Sequence, residues 1–220
     1  MQPRCLLWQA GVIDYPAGLQ LQAQAHRLVE QGAWDGVLIL LEHHPVITIG
    51  TGGRPEQLLC DRRTLAAAGI EVVHSSRGGA ITCHNPGQLV GYPVLNLARW
   101  QKDVHWYVEQ LEELLIRVLQ RYGCRGGRKA RYTGVWLEEC KVAAIGVGVR
   151  RWMTSHGFAL NVENDLALFQ AIIPCGIQAF GVTSLSRQGL ALHAADLIPA
   201  VAEEFGAVFQ CQVSMEEGRR

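Results

Sequence analysis

The chain has 220 residues, 49% of them hydrophobic and 18% charged, with 20 basic residues balanced by 20 acidic ones. That length and apolar content can bury a sizeable core within one domain over residues 1–220. A neutral balance offers no overall field to draw nucleic acid or an anionic membrane, and no apolar run approaches the ~20 residues of a membrane-spanning helix.

An amphipathic helix is predicted over residues 17–31, where Leu21, Ala25, Leu28 and Val29 recur at helical spacing. Apolar strands follow at 37–41 and 46–50, joined near Pro45, then a short helix at 62–69 and a strand at 71–74. Residues 77–93 are dense in glycine and proline and read as a turn-rich stretch. A long helix runs from Val104 to Tyr122 with one apolar face, Asp103 as its N-cap and Gly123 as its stop. Strands are predicted near 134–139, 141–149 and 155–162, then a short helix from Asp165, a helix carrying Ala194 to Phe205, and a strand at 209–213. The order predicts an α/β or α+β fold, a mixed sheet flanked by helices.

Seven cysteines, at 5, 60, 83, 124, 140, 175 and 211, contain no Cys-x-x-Cys pair. They suggest neither a disulfide framework nor a zinc ribbon. Residues 1–15 lack a basic start followed by an apolar run, so a soluble cytoplasmic protein with reduced thiols is expected. His43 and His44 are adjacent, and neighbours on a strand point to opposite faces, which disfavours a shared metal; His44 is the one expected at a pocket wall.

Three stretches carry chemistry. Ile173-Pro174-Cys175-Gly176-Ile177 sets a thiol between a residue that fixes φ and one that lets a substrate approach, although on the local residues alone a buried structural thiol is the commoner case. Lys141 opens the apolar run Lys-Val-Ala-Ala-Ile-Gly146-Val-Gly-Val, where a desolvated amine could accept a proton, or a strand-end lysine could reach water. Arg77-Gly78-Gly79, Thr82, His84 and Pro86-Gly87-Gln88 concentrate small residues, a cation and an imidazole in a way that suits an anion or a carbonyl oxygen.

Together with Gly134-Val135-Trp136, His156-Gly157-Phe158-Ala159-Leu160-Asn161-Val162 and the order in which all these motifs occur, the chain resembles the octanoyltransferases of lipoate biosynthesis over roughly residues 37–190. The resemblance implies a biotin/lipoate protein ligase-like catalytic fold. It also implies an acyl-accepting Cys175 with Lys141 as general base, and a substrate site formed by Arg77, Gly78, Gly79, Thr82, His84, Gly146, His156, Gly157 and Gly176. No cofactor or metal is implied. The implied donor is octanoyl-acyl carrier protein, and the implied acceptors are lipoyl domains of 2-oxoacid dehydrogenases or the glycine cleavage H protein. Two rival readings are an ATP-dependent lipoate or biotin ligase, for which no phosphate loop is evident, and a non-catalytic acyl-protein-binding module.

Two positions depart from the family pattern. Cys83 stands where an aromatic residue is usual, which predicts a reshaped acyl pocket with Cys83 itself structural. Asn85 stands in place of glycine, which predicts left-handed backbone there.

Overall fold

The computed structural model describes residues 2–173 and 180–215. The strands are β1 (Arg4–Ile13), β2 (Gly36–His43), β3 (Val46–Ile49), β4 (Glu71–His74), β5 (Ile81–His84), β6 (Gln88–Leu95), β7 (Gly127–Lys129), β8 (Tyr132–Leu137), β9 (Cys140–Arg150), β10 (Met153–Asn161) and β11 (Gln212–Met215). The helices are α1 (Tyr15–Glu30), α2 (Arg62–Ala67), α3 (Val104–Arg121) and α4 (Ile198–Val208). A large mixed sheet runs β11-β1-β2-β6-β10-β9-β8-β7, and a small one runs β4-β3-β5.

β2 lies inside the large sheet, parallel to β1 and antiparallel to β6, and its alternation divides the core in two. Val37, Ile39 and Leu41 face α1, where they meet Ala25 and Val29. Leu38 and Leu40 face the opposite layer, where α3 contributes Tyr107, Leu111, Leu114 and Leu115 and α4 contributes Val201 and Phe205. With both faces covered, the strand reads as an uninterrupted apolar run rather than an alternating one. Truncating Leu111, which is fully buried, to alanine would cost about 2–5 kcal/mol through lost transfer energy and a residual cavity.

α3 starts and stops where its sequence dictates. The Asp103 carboxylate accepts from the amides of His105 and Trp106 at 2.8 and 3.1 Å, satisfying donors that the first turn leaves open. Gly123 takes φ +78° just beyond the helix end.

Three features depart from the sequence reading. β1 was not expected: a register shift between Gln9 and Val12, with Gly11 at φ +62°, breaks its alternation. The turn-rich stretch holds two strands, β5 and β6, both buried throughout. The strands around Pro45 belong to different sheets, because the chain turns there from the large sheet into the small one. Among the described residues, no helix is long and apolar enough to cross a membrane.

Candidate active site

The small sheet and the loop that precedes β5 lie against β9 and β10, and the space between them is the candidate site. Close approach is built into the sequence. The Gly78 amide donates to the Val147 carbonyl at 2.8 Å, and a Cβ on Gly146 would stand 2.9 Å from the Gly78 oxygen. Gly157, paired with Gly146 across the β9–β10 ladder, backs onto the Gly91 carbonyl, which a Cβ would meet at 2.2 Å. Glycine at these positions lets loop and strand touch backbone to backbone.

Arg77 is buried and fastens this loop to β3. Its Nε and Nη2 donate to the Thr48 hydroxyl at 3.1 and 2.8 Å, Nη2 also reaches the Thr48 carbonyl at 2.6 Å, and Nη1 reaches the Gly78 carbonyl at 3.1 Å. The guanidinium thus organises the cleft wall through the Thr48 hydroxyl and two backbone carbonyls while adding positive charge to it.

The cleft is lined by Arg77, Gly79, Thr82, His84, Gly146, His156 and Gly157, all expected from the sequence, and by Tyr15, Tyr92 and the apolar side chains of Val90, Ile145 and Phe158. Its interior is narrow, with a cavity volume of about 50 Å³. Its buried imidazoles are uncharged near neutral pH, beside the Arg77 guanidinium. Burial first, then the His43 charge, holds the His84 imidazole down at about 3. Burial, then the Arg77 charge, holds His156 at about 4.

The tautomers follow from the partners. Gln88 spends its amide hydrogens on the Cys83 carbonyl and Asn161 Oδ1, so its Oε1 accepts from His84 Nδ1 at 2.7 Å. His43 Nδ1 donates to the Ile13 carbonyl at 3.0 Å, which leaves Nε2 to accept from the Tyr92 hydroxyl at 2.7 Å. His156 has φ +57°, unusual for a residue with a side chain, and its amide donates to Gln22 Oε1 at 2.7 Å. Its Nε2 meets the Ser76 hydroxyl at 3.0 Å, while its buried Nδ1 has no hydrogen-bond partner among the described residues.

Lys141 stands at the mouth. It shares a recess with Gly78, Thr133 and Arg131, and that recess joins the cleft through Gly79, Ala80, Ile145 and Gly146. Only 8% of Lys141 is exposed, so its ammonium is not carried into open water by a snorkelling stem. Nζ donates to the Thr133 carbonyl at 2.8 Å and lies 4.9 Å from the centre of the Trp136 ring. Its own amide donates to the Gly181 carbonyl at 2.9 Å, and its carbonyl accepts from the Thr183 amide at 3.0 Å. Cys175 and Gly176 lie outside the described residues; Gly181 is 181 − 175 = 6 positions along the chain from that cysteine.

Three expectations are corrected. His44 is exposed and His43 is the buried imidazole, because β2 turns His43 toward Tyr15, His84 and Tyr92. Cys83 does not line the cleft: strand alternation puts Thr82 and His84 on the cleft face and Cys83 on the other, among Ile47, Leu65, Leu166 and Phe169. It is a structural residue, and burial pushes its thiol well up. Asn85 is not left-handed. Gly87 takes that role at φ +86°, while the Asn85 amide donates to the Asp165 carbonyl at 2.8 Å and its oxygen accepts from Asn164 at 3.1 Å.

Sequence reasoning passed over Tyr15, Tyr92, His43, Thr133 and Glu112. The last is a carboxylate on the buried side of α3, and an acidic residue inside an apolar stripe was its only signal. Arg128 pairs with Glu112 and Glu113, and Lys129 with Glu139.

The family model described as the lipoyl protein ligase A/B catalytic domain matches residues 14–206. An octanoyltransferase of Clostridium kluyveri is 44% identical over 206 residues, covering 94% of this chain and 88% of that protein. One from Geobacter metallireducens is 50% identical over 176 residues, covering 80% of this chain and 79% of its own. In architecture the chain is similar to a bi-partite lipoate protein ligase from Thermoplasma acidophilum, described together with its E2 lipoyl domain, at a TM-score of 0.73 and 16% identity over 99% of this chain and 87% of that one. An apolar cleft between two sheets, a buried lysine at its mouth and relatives matched over most of their length lead to one conclusion: the chain belongs to the lipoyl protein ligase A/B catalytic domain family.

Proposed function

We propose that this protein is an octanoyltransferase of lipoate biosynthesis, moving an octanoyl group from a thioester on acyl carrier protein to a lysine of a lipoyl domain through an acyl-enzyme on Cys175. The observation that carries this reading is the placement of Lys141, buried at the mouth of a cleft with apolar walls, in a chain 44% and 50% identical to octanoyltransferases.

In the first half-reaction the Cys175 sulfur attacks the thioester carbonyl while the Lys141 amine takes the thiol proton. The donor's carbon–sulfur bond breaks, and the departing thiolate recovers that proton from Lys141. In the second, the ε-amine of the target lysine attacks the acyl-enzyme, Lys141 accepts the excess proton, and the Cys175 thiolate leaves and takes that proton back from Lys141, which restores the starting state. A thioester already carries its activation, so no ATP enters the balance. Preorganised amides stabilise such an oxyanion. The Gly78 N–H is committed to Val147, which leaves the amides of Gly79 and Gly176 as the donors.

The acyl chain runs inward along Ile145 and Phe158 toward His84 and Tyr92. A longer chain would have to cover polar atoms at that end without replacing their hydrogen bonds, which sets the length.

The test is incubation with octanoyl-acyl carrier protein in the absence of ATP, followed by intact-mass measurement and peptide mapping. An octanoyl adduct on Cys175 that is then passed to a lipoyl domain supports the proposal. Transfer that requires ATP and free octanoate, with no adduct, would establish the ligase reading in its place.

A further inference from the structure

The Thr133–Gly134 peptide is gripped from both ends. Its carbonyl accepts from Lys141 Nζ at 2.8 Å, and its N–H donates to the Glu112 carboxylate, at Oε1, at 2.9 Å. One amide plane therefore links a buried anion to the lysine at the cleft mouth, across 22 positions of sequence between Glu112 and Gly134. The peptide has little freedom otherwise. Gly134 sits at φ +120°, where a side chain is strained, and a Cβ would come 2.5 Å from the Ala143 carbonyl and 3.4 Å from Lys141 Cε. β8 is irregular nearby, its register against β9 shifting between Val135 and Trp136, and the Gly134 amide turns to a helix side chain instead of a neighbouring strand.

Glu112 is itself only 7% exposed, and a carboxylate so placed is costly unless its oxygens are satisfied. Both are: Oε1 holds the Gly134 amide and Oε2 accepts from Arg128 Nε at 3.1 Å. An N–H donated to an anion also polarises its peptide, which makes the carbonyl at the other end a stronger acceptor. Core packing asks for none of this, since an apolar residue would fill the same place on α3 without needing partners.

We infer that Glu112 is a positioning residue for Lys141, holding the Thr133–Gly134 peptide so that the Thr133 carbonyl fixes Nζ at the mouth of the cleft. The inference rests on Lys141 being the base of the proposed transfer. Glutamine at 112 keeps an oxygen acceptor for the Gly134 amide, leucine removes it, and aspartate keeps the charge but draws it back by one carbon.

The experiment measures octanoyl transfer from octanoyl-acyl carrier protein to a lipoyl domain for Glu112→Leu, Glu112→Gln and Glu112→Asp, each alone and combined with Lys141→Met, with rates referred to folded protein. Misplacing a reacting group by about 1 Å can cost on the order of 10²-fold. Glu112→Leu is accordingly expected to lower kcat by about 10- to 100-fold with KM nearly constant, Glu112→Asp by less, and Glu112→Gln to recover most of the rate. In the Lys141→Met background the Glu112→Leu loss should vanish, because residues acting through one another are not additive. A purely structural Glu112 would lower the folded fraction and leave the rate per folded molecule alone. That result, or losses that multiply in the double variant, would overturn the inference. If Glu112→Leu does not fold, wild-type turnover by folded Glu112→Asp overturns it equally. Full activity of Lys141→Met alone would remove both the base assignment and this inference, whereas an impaired Lys141→Met beside an unimpaired Glu112→Leu removes the inference only.

Discussion

Replacing Gly146 with alanine tests whether backbone contact between β9 and the Arg77–Gly79 loop shapes the reaction site. The added Cβ would lie 2.9 Å from the Gly78 oxygen and 3.3 Å from Arg77 Cδ. Ordinary contact needs roughly 3.4 Å or more, so the loop must retreat by about half an ångström. That movement stretches the Gly78 N–H bond to Val147, 2.8 Å in the native protein, and pulls on the Arg77 clamp to Thr48. Overpacking of this kind costs about 1–3 kcal/mol, and at ~2–4 °C per kcal/mol for a chain of this size Tm should fall by roughly 2–12 °C. The same half ångström would displace the Gly79 amide from the oxyanion position proposed above, so acyl-enzyme formation should slow by roughly 10-fold or more. Thermal unfolding and single-turnover acylation followed by intact mass read the two effects separately. A Gly146→Ala protein that melts and acylates like the native one would refute the idea that this contact is needed.

Cys175→Ser should bind the octanoyl donor yet form little acyl-enzyme, because an alkoxide is much harder to reach than a thiolate near neutral pH; native-like adduct formation on mass measurement would contradict it. Buried neutral imidazoles predict a pH dependence. His84 and His156 have folded values of about 3 and about 4 against 6.5 when free, so the unfolded chain binds more protons below about pH 6.5, and stability must fall as pH drops from there toward 4. Each contributes a slope approaching 1.4 kcal/mol per pH unit, and urea unfolding of His84→Gln should show a shallower loss between pH 6 and 5 than the native protein does. An unchanged slope would mean His84 is not buried neutral. Cys83→Tyr should overpack the cluster around Phe169 and lower stability by about 1–3 kcal/mol without altering acyl-chain preference, and a shifted chain-length profile would put Cys83 back on the cleft.

Periodicity made much of the architecture legible. The stripe from Val104 to Tyr122, closed by Asp103 and Gly123, determined α3, and the run after Lys141 determined β9, because apolar spacing and capping chemistry are local properties of the chain. The cleft residues Arg77, Thr82, His84, Gly146 and His156 were pointed to by the family resemblance that the ordered motifs carry, not by periodicity. Local pattern states that a residue is buried, but not against what. β1, β5 and β6 were hidden by a bulge and by glycines and prolines that serve close approach rather than turns alone. Whether His43 or His44 faces inward, and that Cys83 turns its back on the cleft, depended on strand register in the assembled sheets. Glu112 shows the division most plainly. Its sequence neighbours mark only an acid within an apolar helix face, and its link to Lys141 through the Thr133–Gly134 peptide exists because α3 packs across β8 and β9, bringing together groups whose separation along the chain no local rule can bridge.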